Sequence, residues 1–385
     1  MKLISIGQLD KNIFYPLLGG IFNFIINFIL SYEKLTILIN HSLILSINTS
    51  LGMSLSFILL LVYKKKPKPV ELPIPKNKGH SIELEFTNQY EEIRYNKIFY
   101  IILTSIIDFI ITIITFSICK KAILNMWMLY ILFIYLFSYL IFKMKLYKHH
   151  YISSSIIIIF GIILNIINQR YRETIKGLTP YIAKLCCECL LSFALVTIKY
   201  TMEKKFCSSF ELCFYQGLIT FILYTIFMIL EQYFIIIEDN FMEYYGDFKK
   251  SIAKETIMFL LIMLIQFFKN LFIFATVEKT TPFHFLIILV IGELSPSIKN
   301  IIEKKNIITA IFNIICFCII FFMILVFNEI IELKCCGLDK NTKKGISNRA
   351  DMDNMNKVLR NESMISEDEK EIKEIPNMEE DDNNA

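Results

Sequence analysis

The sequence predicts an all-α integral membrane protein with ten transmembrane helices, arranged as two inverted five-helix repeats. Three observations predict it. Apolar residues make up 55% of the chain and the mean hydropathy is +0.53. Ten apolar runs are long enough, or nearly so, to cross a bilayer. Charged joins recur at one spacing in both halves. A span of hydrocarbon about 30 Å thick takes about 20 mostly apolar residues, because lipid offers the backbone no hydrogen-bond partner and each segment must satisfy itself.

The first run, residues 13–30, follows Lys2 and Lys11 and lacks a small-residue cleavage site, so it reads as a retained helix. Residues 1–12 form a short cytoplasmic N-terminus. The second run, 37–63, is stopped by Lys64, Lys65, Lys66 and Lys68 with Pro67, Pro69, Pro73 and Pro75, and 64–97 reads as a loop. The next eight runs are 98–118, 122–142, 151–167, 181–201, 210–230, 256–276, 281–298 and 307–331. Residues 233–237 are too short to span and precede Glu238 and Asp239, which suits an interfacial or loop element. From 332 to 385 the chain becomes polar and then acidic, with Glu367, Asp368, Glu369, Glu371, Glu374 and Glu379 to Asp382, and reads as a disordered tail.

Basic residues stay on the cytoplasmic side more often than they cross. An inside N-terminus places Lys2, Lys11, the 64–97 cluster, Lys143, Lys145, Lys148, Lys204, Lys205 and the tail inside; Arg170, Arg172, Lys176, Lys299, Lys304 and Lys305 dissent. Most of the ten cysteines lie in apolar runs as packing residues, and no CxxC pair or Cys/His cluster has metal-ligand spacing. No metal, cofactor or ATP is expected. Cys335 and Cys336, just past the last run, are candidates for palmitoylation.

A shift of about 158 residues superposes the two halves, repeat one being 13–168 and repeat two 181–331. It lays the tight join 116–122, with Lys120 and Lys121, on 274–280, with Glu278 and Lys279. It also lays the charged join 142–148 on 300–306, each preceding the last helix of its half. Five helices per half oblige the copies to enter the membrane in opposite senses.

This arrangement resembles the drug/metabolite transporter superfamily, whose EamA-like and nucleotide-sugar-transporter-like members are solute carriers. The most family-like stretches are 138–150, Ser-Tyr-Leu-Ile-Phe-Lys-Met-Lys-Leu-Tyr-Lys-His-His, and 198–206, Ile-Lys-Tyr-Thr-Met-Glu-Lys-Lys-Phe. The resemblance covers about residues 13–331 and implies alternating access to a central site. The Gly-Ala-Leu-Asn-Lys type of sugar-binding motif is absent near Gly292, where Phe268-Lys269-Asn270 and Ile291-Gly292-Glu293-Leu294 stand on the corresponding late helices.

Ionisable side chains in a spanning helix cost about 2.5–3.5 kcal/mol on insertion scales, so they tend to face a wet cavity or a partner. Near mid-membrane these are Asp108, Lys184, Glu188, Lys269 and Glu293, with Lys199 and Glu211 nearer the cytoplasmic ends. Lys184 and Glu188 are four apart and can pair on one helical face, either to lower insertion cost or to bind solute. Gln266, Lys269 and Asn270 share a face, and the repeat shift sets Asp108 opposite Gln266. Lys269 lies too deep to snorkel easily and suits an anionic solute, or neutralisation by Asp108 or Glu293 in an empty carrier. Pro296, shortly after Glu293, bends its helix for packing or for transport. Asn23 and Asn27 suit helix–helix bonding as well as a site, and Gly19-Gly20 suits close helix contact. His149 and His150 flank a basic join.

The sequence therefore predicts a transporter of a small, polar or anionic solute, by exchange or proton coupling, with lipid around it, no nucleic-acid partner, and a homodimer left open. Endomembrane and plasma membrane are both open. A non-transporting scaffold or receptor is the main alternative, resting on the acidic tail. An intramembrane lipid-modifying enzyme is weaker, because no His, Asp or Glu cluster marks a membrane edge.

Overall fold

The computed structural model describes residues 4–6, 13–32, 41–62, 81–118, 126–143, 147–169, 179–205, 207–234, 245, 248–249, 251–304, 306–333 and 342. Helix lies within each of the ten apolar runs: α1 (Phe14–Leu30), α2 (Ser42–Ser54), α3 (Ser56–Val62), α4 (Ser81–Ser117), α5 (Tyr130–Phe142), α6 (Lys148–Gln169), α7 (Thr179–Lys204), α8 (Ser209–Phe234), α9 (Ile252–Lys279), α10 (Phe285–Ile302) and α11 (Ile307–Phe327). Among the described residues eight helical segments are long and apolar enough to cross a membrane, while α1 and α5 are apolar but shorter, with 17 and 13 residues. Their outward faces carry side chains such as Val62, Ile257 and Ile308, as a lipid-facing surface requires. The chain is a multi-pass helical membrane protein.

The loop expected over 64–97 differs in its second part. Helix begins at Ser81 and runs unbroken into the apolar span Lys97–Thr115. Residues 81–97 contain neither Gly nor Pro, and extending an existing helix adds a hydrogen bond per residue without a new nucleation cost. The expected element at 233–237 begins inside α8; its remainder, most of the tail and the Cys335-Cys336 pair lie outside the described residues. Residues 4–6 and 331–333 form a two-stranded antiparallel ribbon, Ile4 opposite Leu333, which joins the two ends of the transmembrane region.

The second span is broken at Leu55. Ser54 Oγ donates to Ser50 O at 2.9 Å, and Ser56 Oγ donates to Met53 O at 2.7 Å and to Phe210 O on α8 at 3.2 Å. Hydroxyls that return bonds to the preceding turn compete with the backbone and bend helices. Small residues let this region pack tightly: a Cβ on Gly52 would meet Met263 O at 2.7 Å, and one on Gly217 would meet Ser54 N at 2.8 Å.

Helix α1 is stapled to α10 through the carbonyls of α10. Pro296 lies inside α10 and has no N–H, so the carbonyl of Gly292, four residues earlier, lacks its helical partner. Asn27 Nδ2 donates to that oxygen at 3.3 Å, and Asn23 Nδ2 donates to Ile288 O at 3.1 Å. Gly19 and Gly20 bring the backbones close: a Cβ there would lie 2.9 Å from Ile288 Cδ1 and 2.5 Å from Ile291 Cδ1.

The packed pairs define the bundle. Helix α1 packs on α9 and α10; α2 and α3 on α8, with α2 also on α9; α4 on α7 and α8; α5 on α7; α6 on α11; α9 on α7 and α8; and α10 on α11. Both α5 and α10 are entered through one 3-10 turn, Trp127–Leu129 and Pro282–His284. Both are left through the left-handed region, at Lys143 (φ 55°), and at Lys304 (φ 55°) and Asn306 (φ 47°).

Candidate functional site

One end of the bundle is fixed by polar contacts. Lys97 Nζ of α4 lies 2.6 Å from Glu211 Oε1 of α8. The backbone N–H of Ser209 donates to Glu278 Oε2 of α9 at 3.0 Å, and Lys199 Nζ of α7 donates to Glu278 O at 3.0 Å while pairing with Glu203 at the same distance. Lys279 Nζ holds the other oxygen of Glu278 at 2.8 Å. The ends of α4, α7, α8 and α9 therefore meet here, at what is called below the basic end.

Depth follows from helix rise. Asp108 lies eleven residues from Lys97 along α4 and Lys269 ten residues from Lys279 along α9, so at 1.5 Å per residue each sits about 15–17 Å from the basic end. That is near the middle of a hydrocarbon layer about 30 Å thick. The two lie within electrostatic range of each other. Helices α4 and α9 make no more than a glancing contact; both lean on α7 and α8 instead. The two residues thus stand at similar depth on two helices that are joined mainly through a second pair.

Both side chains are half-buried in the bundle. Among the described residues neither charged group makes a hydrogen bond or a direct ion pair. Tyr224 of α8 lies near Asp108 and donates through its hydroxyl to Thr112 Oγ1 at 2.7 Å, while Thr112 Oγ1 donates to the backbone carbonyl of Asp108 at 2.9 Å. This relay fixes the turn that carries the carboxylate. Phe109 packs against Tyr224 with the rings tilted at 46° and their centroids 5.3 Å apart.

The other expected residues fall into three groups. Gln266 and Asn270 flank Lys269 on α9; Gln266 Oε1 and Asn270 Nδ2 are buried with no hydrogen-bond partner. Glu293 lies on α10, eleven residues beyond Pro282, and so at a depth similar to that of Lys269, but the carboxylate acting on Lys269 is Asp108. Lys184 and Glu188 pair at 3.1 Å on α7, about 24–30 Å from the basic end and so nearer the opposite face. They are not part of the central pair.

Asn23 and Asn27, read from the sequence as either structural or functional, are spent on α10 carbonyls. Three features escaped the sequence reading. Thr112 and Tyr224 carry no charge, and nothing but their depth beside Asp108 would have marked them. Glu278 organises the basic end; the sequence showed its charged join but not its three partners. His149, His150 and Glu329 converge, their potential ligand atoms lying within 4.8 Å of one another, because the start of α6 meets the end of α11. His149 Nε2 is 3.2 Å from Glu329 Oε1, and the two rings are close, with centroids 3.9 Å apart, while His150 Nδ1 accepts the Tyr147 N–H at 3.2 Å. That bond lets His150 cap the first turn of α6.

No protein-family model matches the chain, and no curated protein sequence matches it.

Proposed function

We propose that this protein is a membrane transporter for a small polar solute, working by alternating access about a site between α4 and α9. The observation that carries this reading is the placement of two charged residues, Asp108 on α4 and Lys269 on α9, at mid-membrane depth. Two charges there cost several kcal/mol on insertion scales, and such residues mark solute or ion pathways. A scaffold has no use for them, and the acidic tail that favoured a scaffold gives no account of them.

Part of the packing pattern supports two inverted halves of five spans, although the contacts of α9 with α7 and α8 and of α10 with α11 have no counterpart of like extent among the described residues. Exchange each span of the first half with its counterpart five spans later: α1 with α7, the α2–α3 span with α8, α4 with α9, α5 with α10, α6 with α11. The α1–α10 contact then becomes α5–α7, α1–α9 becomes α4–α7, and α2–α9 becomes α4–α8; all six contacts exist. The contacts of α8 with the α2–α3 span and of α6 with α11 map onto themselves. The matching 3-10 entries and left-handed exits of α5 and α10 follow the same exchange. In such carriers the two halves rock about a site at their interface, where α4 and α9 are counterparts. This is the architecture that the resemblance to the drug/metabolite transporter superfamily implies.

The ion-paired basic end, with Glu278 bridging α7, α8 and α9, suits a gate that closes one side of the site. Purified protein in liposomes should take up or exchange a labelled polar solute, screened over amino acids, nucleotide sugars, phosphorylated metabolites and organic cations. Lys269→Ala should abolish that uptake while leaving the elution profile and melting of the protein intact. Unchanged uptake in a folded Lys269→Ala variant would remove Lys269 from the mechanism.

A further inference from the structure

We infer that His149, His150 and Glu329 form a binding site for one divalent transition-metal ion of the zinc type, where the start of α6 meets the end of α11. None of the three lies on α4 or α9, so this site is separate from the proposed solute site. Two imidazoles and one carboxylate are a donor set that such borderline ions take, whereas magnesium and calcium favour oxygen alone. The potential ligand atoms of the three residues lie within 4.8 Å of one another. His149 Nε2 and Glu329 Oε1 are 3.2 Å apart. Two ligands of a tetrahedral zinc, at bond lengths of about 2.0–2.2 Å, keep a separation of about 3.4 Å.

His149 is the residue that calls for an ion. Only 2% of it is exposed, and neither of its ring nitrogens makes a hydrogen bond. A buried polar atom left without such a partner carries its full desolvation cost. The Glu329 carboxylate stands within reach of Nε2, yet the two make no hydrogen bond. A metal ion accounts for that close approach, because it sits to one side of the line between two ligands and draws a lone pair from each. With no cation beside them, a ring lone pair and a carboxylate oxygen at this distance repel.

The His150 ring lies against that of His149, with centroids 3.9 Å apart. Its Nδ1 accepts the Tyr147 N–H, and a neutral imidazole has one ring lone pair. The ion therefore takes that lone pair in exchange for the N–H, which water can satisfy because Tyr147 is only half-buried. Phe327 meets His150 edge-on at 4.8 Å and Phe283 at 4.9 Å, and both phenylalanines are buried. This apolar wall limits the access of water to the site. Glu329, just past α11, holds φ 59°, an uncommon backbone for a residue other than glycine, and its carboxylate reaches the start of α6. Its side chain is 16% exposed, which gives an ion an approach from water. Phe283 follows Lys279 by four residues, so the site lies on the same side of the membrane as the basic end.

The purified full chain in detergent, stripped with a chelator and dialysed, is titrated with zinc and, separately, with cobalt(II), whose visible spectrum reports its ligands. One equivalent of zinc should bind and raise the melting midpoint. Cobalt should give the bands of a nitrogen and oxygen site without the sulfur charge-transfer band that any of the ten cysteines would add. His149→Ala and Glu329→Gln should each weaken zinc about 100-fold or more, the upper end for residues that merely support a metal, and should remove the cobalt bands. Should His149→Ala fail to fold, Glu329→Gln, at a partly exposed residue beyond the helix, decides. An ion pair of His149 and Glu329 that holds a proton instead of a metal predicts no cobalt bands and the same melting with and without zinc, and that result overturns the inference. Metal that binds with a sulfur band, or as tightly in both variants, belongs to other residues and overturns it too.

Discussion

Asn27 and Pro296 should be energetically coupled although they sit on different helices. Pro296 leaves Gly292 O without a helical donor, and Asn27 Nδ2 supplies one from α1 at 3.3 Å. An interhelical hydrogen bond in a membrane protein is worth about 0.6 kcal/mol on average and up to about 1.7. Asn27→Ala should therefore destabilise the protein by about 0.6–1.7 kcal/mol, a factor of about 3–20 in the unfolding equilibrium, with the lower half expected from the long bond. In Pro296→Ala the restored N–H of residue 296 takes Gly292 O itself, and Asn27→Ala should then cost close to nothing. Asn23 provides the internal control. Its acceptor, Ile288 O, lies four residues before Gly292, which has an N–H, so Asn23→Ala should cost the same with or without Pro296. Unfolding in mixed micelles of rising dodecyl sulfate content gives all the required free energies. An equal cost of Asn27→Ala in both backgrounds would show that the staple does not arise from the proline.

Gly217→Val should force α8 from α2, because even a Cβ would meet Met53 Cβ at 2.6 Å, Ser54 N at 2.8 Å and Ser50 O at 2.9 Å; a loss of about 1–3 kcal/mol is expected for such overpacking. Gly161→Ala is the contrast, since its Cβ meets the Met128 side chain, which can rotate away, and the same unfolding assay should show the smaller loss. Cys207, between α7 and α8, has its thiol pushed up to about 12 by burial and then by the Glu211 carboxylate, against an ordinary 9.0. A raised thiol pKa contributes stability below about pH 9 that is lost as pH climbs toward about 12. Native protein at pH 8 should thus resist maleimide at Cys207, and Cys207→Ser should flatten the alkaline loss of stability; labelling read by peptide mass, together with melting across that range, checks both.

Much of the architecture was legible because lipid forces it. The ten apolar runs all contain helix, since a backbone in hydrocarbon has no other way to satisfy itself at such lengths. The tight joins at 116–122 and 274–280 suggested a correspondence between the halves, and residues 119–122 lie outside the described residues. Asp108 and Lys269 stood out because charge is rare at that depth. What was hidden depends on partners far along the chain. Asn23 and Asn27 look like any asparagines in an Asn-rich sequence, and only the position of Pro296, four residues past Gly292, hints that one of them has a carbonyl to serve. The helix over 81–97 was hidden by its charges, which read as loop where they are an extension of α4. Glu329 is 180 residues from His149, and no local pattern predicts that α6 and α11 bring them within 3.2 Å.

Alternating access makes one demand that can be measured directly. In a background where the ten native cysteines are replaced by serine or alanine, Asp108→Cys and Lys269→Cys are each exposed in liposomes to a membrane-impermeant thiol reagent, applied from one side and then from the other. A carrier that rocks about a site between α4 and α9 predicts that both positions react from either side, and that closing the basic end through Glu278 and Lys199 slows the reaction from that side alone. Positions that react from neither side, or from the same single side under every condition and solute, would contradict it.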